Sequence, residues 1–406
     1  MGRVLKPSPD LAAKVHSPVP SAKREEVALK GRLRPVEYLN WAQTVPAGAR
    51  WDLTASGVAD TCTDAGATGL EPGWDETEIA DLCRRDRRAA ALDAFCRTIG
   101  QRYDVEPECV VPTLGASGAI AQVLCALARP GEHVIVERPT FEPLHRVPEM
   151  LGLSVSRLER KYEEGWAALP DRLARLLTPK TRAVILTSLH NPTGVPVGSE
   201  ALAAIGEMAA RVGALVLVDE VYLDFAFDAA GAHPWRPAAV AIDNGLSWSS
   251  AGKCFGFAAL RAGWVVTRDR DFAQALRTAA HYFHVDPPLP SLTLATTVMT
   301  QAASLAVQAN HRAAEGRAVL EAWLAQERRI GWVPPSAGQT CLLRLPDLMA
   351  DTGFAVHLRE RYDTQVVPGS LFEAPGFVRL SFNLAPAHLT EALANVSAAL
   401  DDLLAR

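Results

Sequence analysis

Hydrophobic positions along the chain change their period several times. Between 76 and 103 they recur at helical spacing, with Ile79, Leu82, Cys83, Leu92, Phe95, Cys96 and Ile99 on one side. From there to about residue 267, short apolar runs alternate with helical stretches. The runs are His133–Val136, Ala183–Thr187, Ala214–Val218 and Gly263–Val266, and the helical stretches include Leu169–Leu177 and Ser199–Val212. This alternation predicts an α/β domain on a mostly parallel sheet, because each parallel pair needs a crossover segment. Trp51–Val58 reads as a short strand leading into a turn. Residues 291–328 are almost free of Gly and Pro and rich in Ala, Leu and Gln, which predicts one long helix. After Pro334-Pro335 come a strand (Cys341–Leu345), a helix (Phe354–Tyr362), a strand (Phe377–Phe382) and a final helix (Pro386–Leu404). No internal repeat is present.

Composition narrows the classes. A chain of 406 residues suits one large domain plus a smaller one better than a single core. Residues 1–35 are rich in Pro and Lys/Arg without hydrophobic periodicity, and read as a loosely ordered arm. Their basic residues are dispersed and the net charge is −5, so nothing recommends a nucleic-acid partner. No apolar run approaches the roughly 20 residues of a membrane helix, the N-terminus has no apolar signal core, and Lys6 stands where a myristoylation signal has Ser or Thr. Seven scattered cysteines without a C-x-x-C pair exclude a disulfide framework or zinc site and make the cytoplasm the expected location.

The chemistry concentrates between Ser247 and Trp264. Lys253 stands among small and apolar residues, a setting that disfavours an ammonium and favours an amine nucleophile for aldehydes. A snorkelling lysine in a loop reads equally well from these residues alone. Arg261 opens the apolar segment Ala262–Val266 and needs an anion, for which phosphate is a natural choice. The Gly/Ser turn Thr113–Ala119 precedes a helical pattern, an arrangement that offers free N–H groups to a phosphate. Asn191-Pro-Thr-Gly194 is a turn at the end of a strand, where α/β sheets bind ligands. Asp219 follows the apolar Leu215–Val218, a costly place for a carboxylate without a cation; Glu220 beside it reads as structural. Arg379 alternates with apolar neighbours and likewise calls for an anion. Cys254 reads as a buried space-filler.

The spacing of Ser250, Lys253 and Arg261, with Gly256 and Gly263, resembles the cofactor-lysine segment of class I/II aminotransferases, the fold-type I pyridoxal 5′-phosphate (PLP) enzymes. The other segments stand in that family's order from about 113 to 382. The resemblance implies a fold-type I PLP-transferase: a large domain (50–285) with a mostly parallel seven-stranded sheet, and a smaller α/β domain (36–49 and 286–406) beyond the arm (1–35). It implies a Lys253 Schiff base with PLP, with the phosphate held by Gly115, Ala116, Ser117, Ser250 and Arg261. Phe141, which would otherwise be an ordinary core residue, would stack on the cofactor ring. Asn191 and Tyr222 would bond its phenolic oxygen, and Asp219 would keep the ring nitrogen protonated. Arg379 would clamp the substrate α-carboxylate, and Ser56 and Gly57 lie where a family loop closes over substrate.

The family often has a Gly-Tyr turn whose tyrosine reaches the neighbouring subunit's phosphate; here Gly69-Leu70 and Pro72-Gly73-Trp74 stand instead. The implied activity is amino-group transfer between an α-amino acid and a 2-oxo acid in a cytoplasmic homodimer. The alternative is another PLP reaction on an amino acid, by a lyase, decarboxylase or oxidase. A PLP-sensing regulator with a DNA-binding extension is disfavoured by the short arm, and an inactive scaffold by Lys253, Asp219 and Arg379. Trp74 and His281-Tyr-Phe-His284 read equally as pocket lining or surface packing.

Overall fold

In the computed structural model, which describes residues 33–45, 48–58, 84–225, 236–347 and 349–405, the apolar runs become strands of one large sheet. Most of the expected arm, residues 76–83 of the expected helix and the Gly69–Trp74 stretch lie outside the described residues. The chain proceeds through helix α1 (Glu37–Thr44), β1 (Trp51–Asp52), helix α2 (Arg88–Tyr103), β2 (Val110–Leu114) and helix α3 (Gly115–Leu127). Then follow β3 (His133–Arg138), β4 (Ser154–Glu159), β5 (Thr181–Thr187), β6 (Leu215–Asp219), β7 (Gly245–Ser250) and β8 (Ala262–Thr267). Strands β2 to β8 form a seven-stranded sheet in the order β2-β8-β7-β6-β5-β3-β4. All neighbours are parallel except β8, which runs antiparallel to β2 and β7. The mostly parallel seven-stranded sheet is therefore present.

Three of its strands, β2, β4 and β7, have no counterpart among the four apolar runs. β4 pairs only with β3, and an edge strand with one half-exposed face shows no continuous apolar stretch. β7 is buried throughout, yet its sequence Gly-Leu-Ser-Trp-Ser-Ser hides small hydroxyls in the interior. Ser247 Oγ accepts from the Ala239 N–H at 2.9 Å, which satisfies it there.

The short strand and turn expected over Trp51–Val58 are present: the strand is Trp51–Asp52, and the Asp52 carboxylate takes the N–H and hydroxyl of Thr54 at 2.8 and 2.6 Å and turns the chain. Other boundaries move for local reasons. The helix expected over Leu169–Leu177 is confined to Pro170–Ala174. The single helix expected over 291–328 is two, Leu289–Thr300 and Ala302–Leu324, broken at Gln301 with φ −103° and ψ 9°. Thr296, Thr297 and Thr300 bond back to preceding carbonyls, and Ser304 to Gln301 O, competition that weakens a helix at that point.

The later chain adds β9 (Gly331–Trp332), β10 (Thr340–Arg344), β11 (Thr364–Gln365), β12 (Val367–Pro368) and β13 (Phe377–Ser381). An antiparallel sheet runs β12-β13-β10-β9, while β1 pairs in parallel with β11. That short pairing matters for the site. Leu53 N–H donates to Gln365 O at 2.9 Å and Ser381 N–H to Leu53 O at 2.7 Å, so the loop 53–58 is laid beside β13.

The helix Ala302–Leu324 backs this sheet at Gly316, where an added Cβ would stand 1.8 Å from Phe382 O. Gly316→Ala should therefore push helix and strand apart. We expect a loss of about 1–3 kcal/mol or more in urea unfolding; an unchanged midpoint would show that the contact relaxes freely.

Candidate active site

The parallel strands β5, β6 and β7 end side by side, with Thr187 paired to Asp219 and Asp219 to Trp248. Beyond these ends lies a cavity of ≈ 270 Å³. Among its walls are Lys253, Asp219, Tyr222, Asn191, Ser250 and Arg261, joined by Ala116, Ser117 and Phe141 from the α3 side. With Ser56, ten of the residues singled out in the sequence thus face one space at the carboxyl ends of the strands.

One end of the cavity is built for an anion. Gly115 opens α3 at φ +65°, and a Cβ there would come within 2.7 Å of Arg261 Nη2. A Cβ on Gly263 would meet Gly115 C at 2.5 Å. Both positions therefore require glycine, and their bareness lets the Arg261 guanidinium lie at the N-terminus of a thirteen-residue helix. Among the described residues no carboxylate pairs with Arg261. Free helix N–H groups, a guanidinium and the hydroxyls of Ser117 and Ser250 match a phosphate dianion.

The opposite wall carries Asp219, which is buried, with Oδ1 accepting from Val221 N–H at 3.2 Å. Burial pushes its carboxyl up to about 6, against the pull of that N–H and of the Lys253 charge. No cation forms an ion pair with it among the described residues, so a cationic ring nitrogen fits. Glu220 points elsewhere: it accepts from Ala238 N–H at 2.7 Å at the start of a short helix, and burial raises it to about 8. Its structural reading is consistent with this contact.

Lys253 is half-buried, and its Nζ donates to Ser56 Oγ at 2.5 Å. The loop carrying Ser56 is held by Val58 N–H on Lys253 O at 2.9 Å. Gly57 packs against the Gly252–Lys253 backbone, where a Cβ would sit 3.2 Å from Lys253 O, and does not line the cavity. The neighbouring Cys254 thiol is buried and pushed up to about 12, so it acts as packing and not as a nucleophile.

Arg379 is fully buried in β13. Its Nη1 donates to Asn191 Oδ1 at 3.2 Å and its Nη2 to Thr54 O at 2.7 Å, while Nε has no partner. Phe372 and Tyr38 flank the guanidinium at 4.9 and 5.8 Å. No carboxylate reaches it among the described residues.

Two contributors escaped the sequence analysis. Tyr38 of α1 lines the cavity with Leu39 and Ala42, and no local pattern marks a tyrosine in so short a helix. His190 is buried, donating from Nε2 to Pro139 O at 2.8 Å and accepting at Nδ1 from Thr193 Oγ1 at 2.7 Å. Burial, aided by the Arg160 charge, holds its pKa well below the ordinary value, so it is a neutral strut between the Asn191 turn and the segment leading to Phe141. Tyr282 and Phe283, by contrast, lie outside the cavity and are exposed.

The sequence profile described as Aminotransferase class I and II matches residues 84–396. The chain belongs to this family. The aminotransferase is 27% identical over 387 residues to aspartate/prephenate aminotransferase of Thermus thermophilus, covering 90% of this chain and 97% of that one. Among solved structures, a PLP-dependent aminotransferase from Streptococcus suis superposes with TM-score 0.80 at 25% identity, over 91% and 98% of the two chains. The PLP-dependent cyclase OrfR does so with TM-score 0.74 at 27% identity, over 91% and 98%.

The Asp219 shift has a stability consequence in the cofactor-free aminotransferase. Its carboxyl holds a proton up to about pH 6 in the fold and only to 3.8 in an unfolded chain. Protonation therefore favours folding, and this contribution is complete below about pH 4, declines as pH rises to about 6, and stays lost above. The loss should be on the order of 2–3 kcal/mol. Asp219→Asn should flatten this part of the urea-midpoint profile; an unchanged profile would assign the titration to another group.

Proposed function

We propose that this aminotransferase carries PLP on Lys253 and moves an amino group between an α-amino acid and a 2-oxo acid. The observation that carries the substrate half of this reading is Arg379, a fully buried guanidinium without a carboxylate among the described residues. A cation so placed costs several kcal/mol unless an anion joins it, and a bidentate α-carboxylate meets that need.

PLP, when bound, supplies an aldehyde for the Lys253 amine and a ring that accepts the electron pair left at the substrate Cα. The N–H groups of Gly115, Ala116 and Ser117 hold its phosphate together with the Ser250 hydroxyl and Arg261. Phe141 packs on the ring. The Asn191 Nδ2 and Tyr222 hydroxyl are the donors for the phenolic oxygen, and the Asp219 carboxylate holds a proton on the ring nitrogen. Arg379 fixes the substrate carboxylate, while Lys253 Nζ moves the Cα proton. Gly57 takes part in substrate binding by letting the Ser56 loop close on the Lys253 backbone.

The smaller domain of this reading comprises 36–49 and 286–406, set against the large domain 50–285. A homodimer is supported by the family and by the exposed aromatic turn of Tyr282 and Phe283. The five described cysteines are all free thiols, which supports a reducing compartment such as the cytoplasm. A second reading, another PLP reaction on an amino acid, is favoured by the likeness to the cyclase OrfR.

Four measurements test the proposal. Borohydride reduction of the PLP-loaded protein and peptide mapping should place the cofactor on the Lys253 peptide; label on another lysine overturns that assignment. With a panel of amino acids and no oxo acid, one 2-oxo acid should be released per site, with further turnover only after an acceptor is added. Continuous release of carbon dioxide, ammonia or a side-chain fragment would instead establish the second reading. Arg379→Ala should lower kcat/KM for carboxylate-bearing donors by roughly 30-fold to several thousand-fold, the equivalent of about 2–5 kcal/mol. Sedimentation of a fully active monomer would contradict the dimer.

A further inference from the structure

Tyr38 lines the cavity that holds Lys253, and no local sequence pattern accounts for it. Its N–H donates to Glu142 Oε2 at 2.8 Å, which pins the start of α1 to the segment after Phe141. Its ring packs against Phe141 at 5.5 Å and Phe372 at 5.1 Å. With backbone and ring both held, its phenol is directed toward Arg379, Lys253 and Ser56. Burial alone would raise the phenol's pKa, but the charges of Arg379 and Lys253 bring it below the ordinary tyrosine value. A more acidic phenol is a better hydrogen-bond donor.

Two of the five N–H donors of the neighbouring guanidinium are engaged, and its Nε has no partner. Arg379 already spends Nη1 on Asn191 Oδ1 and Nη2 on Thr54 O. A carboxylate that comes to this arginine keeps lone pairs beyond the two that a bidentate pair uses, and Tyr38, with its ring 5.8 Å from the guanidinium, brings a hydroxyl to the cavity beside it. We infer that Tyr38 is a second donor to the substrate carboxylate, sharing it with Arg379 above the Lys253 amine. This rests on the reading in which Lys253 carries PLP and Arg379 binds the carboxylate.

The test is an equilibrium titration of the PLP-loaded protein, read from cofactor absorbance and not from turnover. The probes are 2-methylalanine, an amino acid with no α-hydrogen to lose, and isopropylamine, the same amine without the carboxylate. Tyr38→Phe keeps the ring contacts and removes only the hydroxyl. It should raise the Kd of 2-methylalanine about 10- to 100-fold, the range for a hydrogen bond to a charged group. The Kd of isopropylamine should move less than about 2-fold, and the melting temperature should hold. An unchanged or lower Kd for 2-methylalanine overturns the inference, as does an equal rise for both probes, which would mark a packing role. Arg379→Ala separates the two layers of argument. If it weakens 2-methylalanine while Tyr38→Phe does not, only the role of Tyr38 fails. If neither variant matters, or wild-type protein binds both probes alike, the carboxylate reading fails and this inference with it.

Discussion

Two buried charges of opposite sign are held apart, each without an ion-pair partner among the described residues, and the site depends on that separation. Asp219 ends a central strand of the large sheet and Arg379 lies within the smaller one. Had the fold brought them together, they would neutralise each other and leave nothing to bind. Kept apart, each carries a desolvation cost that a ligand can relieve: a cation near Asp219, a carboxylate near Arg379. The stability that tolerates this comes from the large sheet and the helix packed on it, where Trp248, Trp264 and Phe95 of α2 are completely buried.

Close backbone approach sets the other end of the site. The Gly115–Gly263 contact joins the start of α3 to β8 and leaves room for the Arg261 guanidinium. At Gly263 a methyl group would collide, and at Gly115 the collision adds to a backbone φ of +65° that favours glycine. The loop 53–58 reaches Lys253 by a different device, the two-residue pairing of β1 with β11. Ser56 and Thr54 are thereby brought to Lys253 and Arg379 by a strand contact from the far end of the chain.

Behind the cavity, a polar network fixes the residues that face it. Glu137 and Arg160 form a fully buried ion pair at 2.8 Å, and Arg160 Nε donates to Trp166 O at 2.5 Å. His190 sits beside this pair and links the Asn191 turn to Pro139, two residues before Phe141. Removing one member would strand the others in low dielectric, so the network behaves as a unit and keeps Asn191 aimed.

The sequence alone determined the parts whose cause is local. Continuous apolar runs marked the interior parallel strands because burial on both faces admits few polar residues. Lys253, Asp219, Asn191 and Arg379 stood out because each is a polar group inside, or at the end of, a segment that is otherwise apolar or turn-forming. Edge strand β4, hydroxyl-rich β7 and the break at Gln301 were invisible to this logic, since partners far along the chain or weak side-chain competition decide them. Tertiary structure alone decided that Gly57 supports the lysine backbone and does not line the cavity, that Ser56 holds the Lys253 amine, and that Tyr38 enters the site. The physical reason is that periodicity reports whether a side chain is buried, whereas what it meets is set by packing between segments such as α1, Phe141 and Phe372, which share no local pattern.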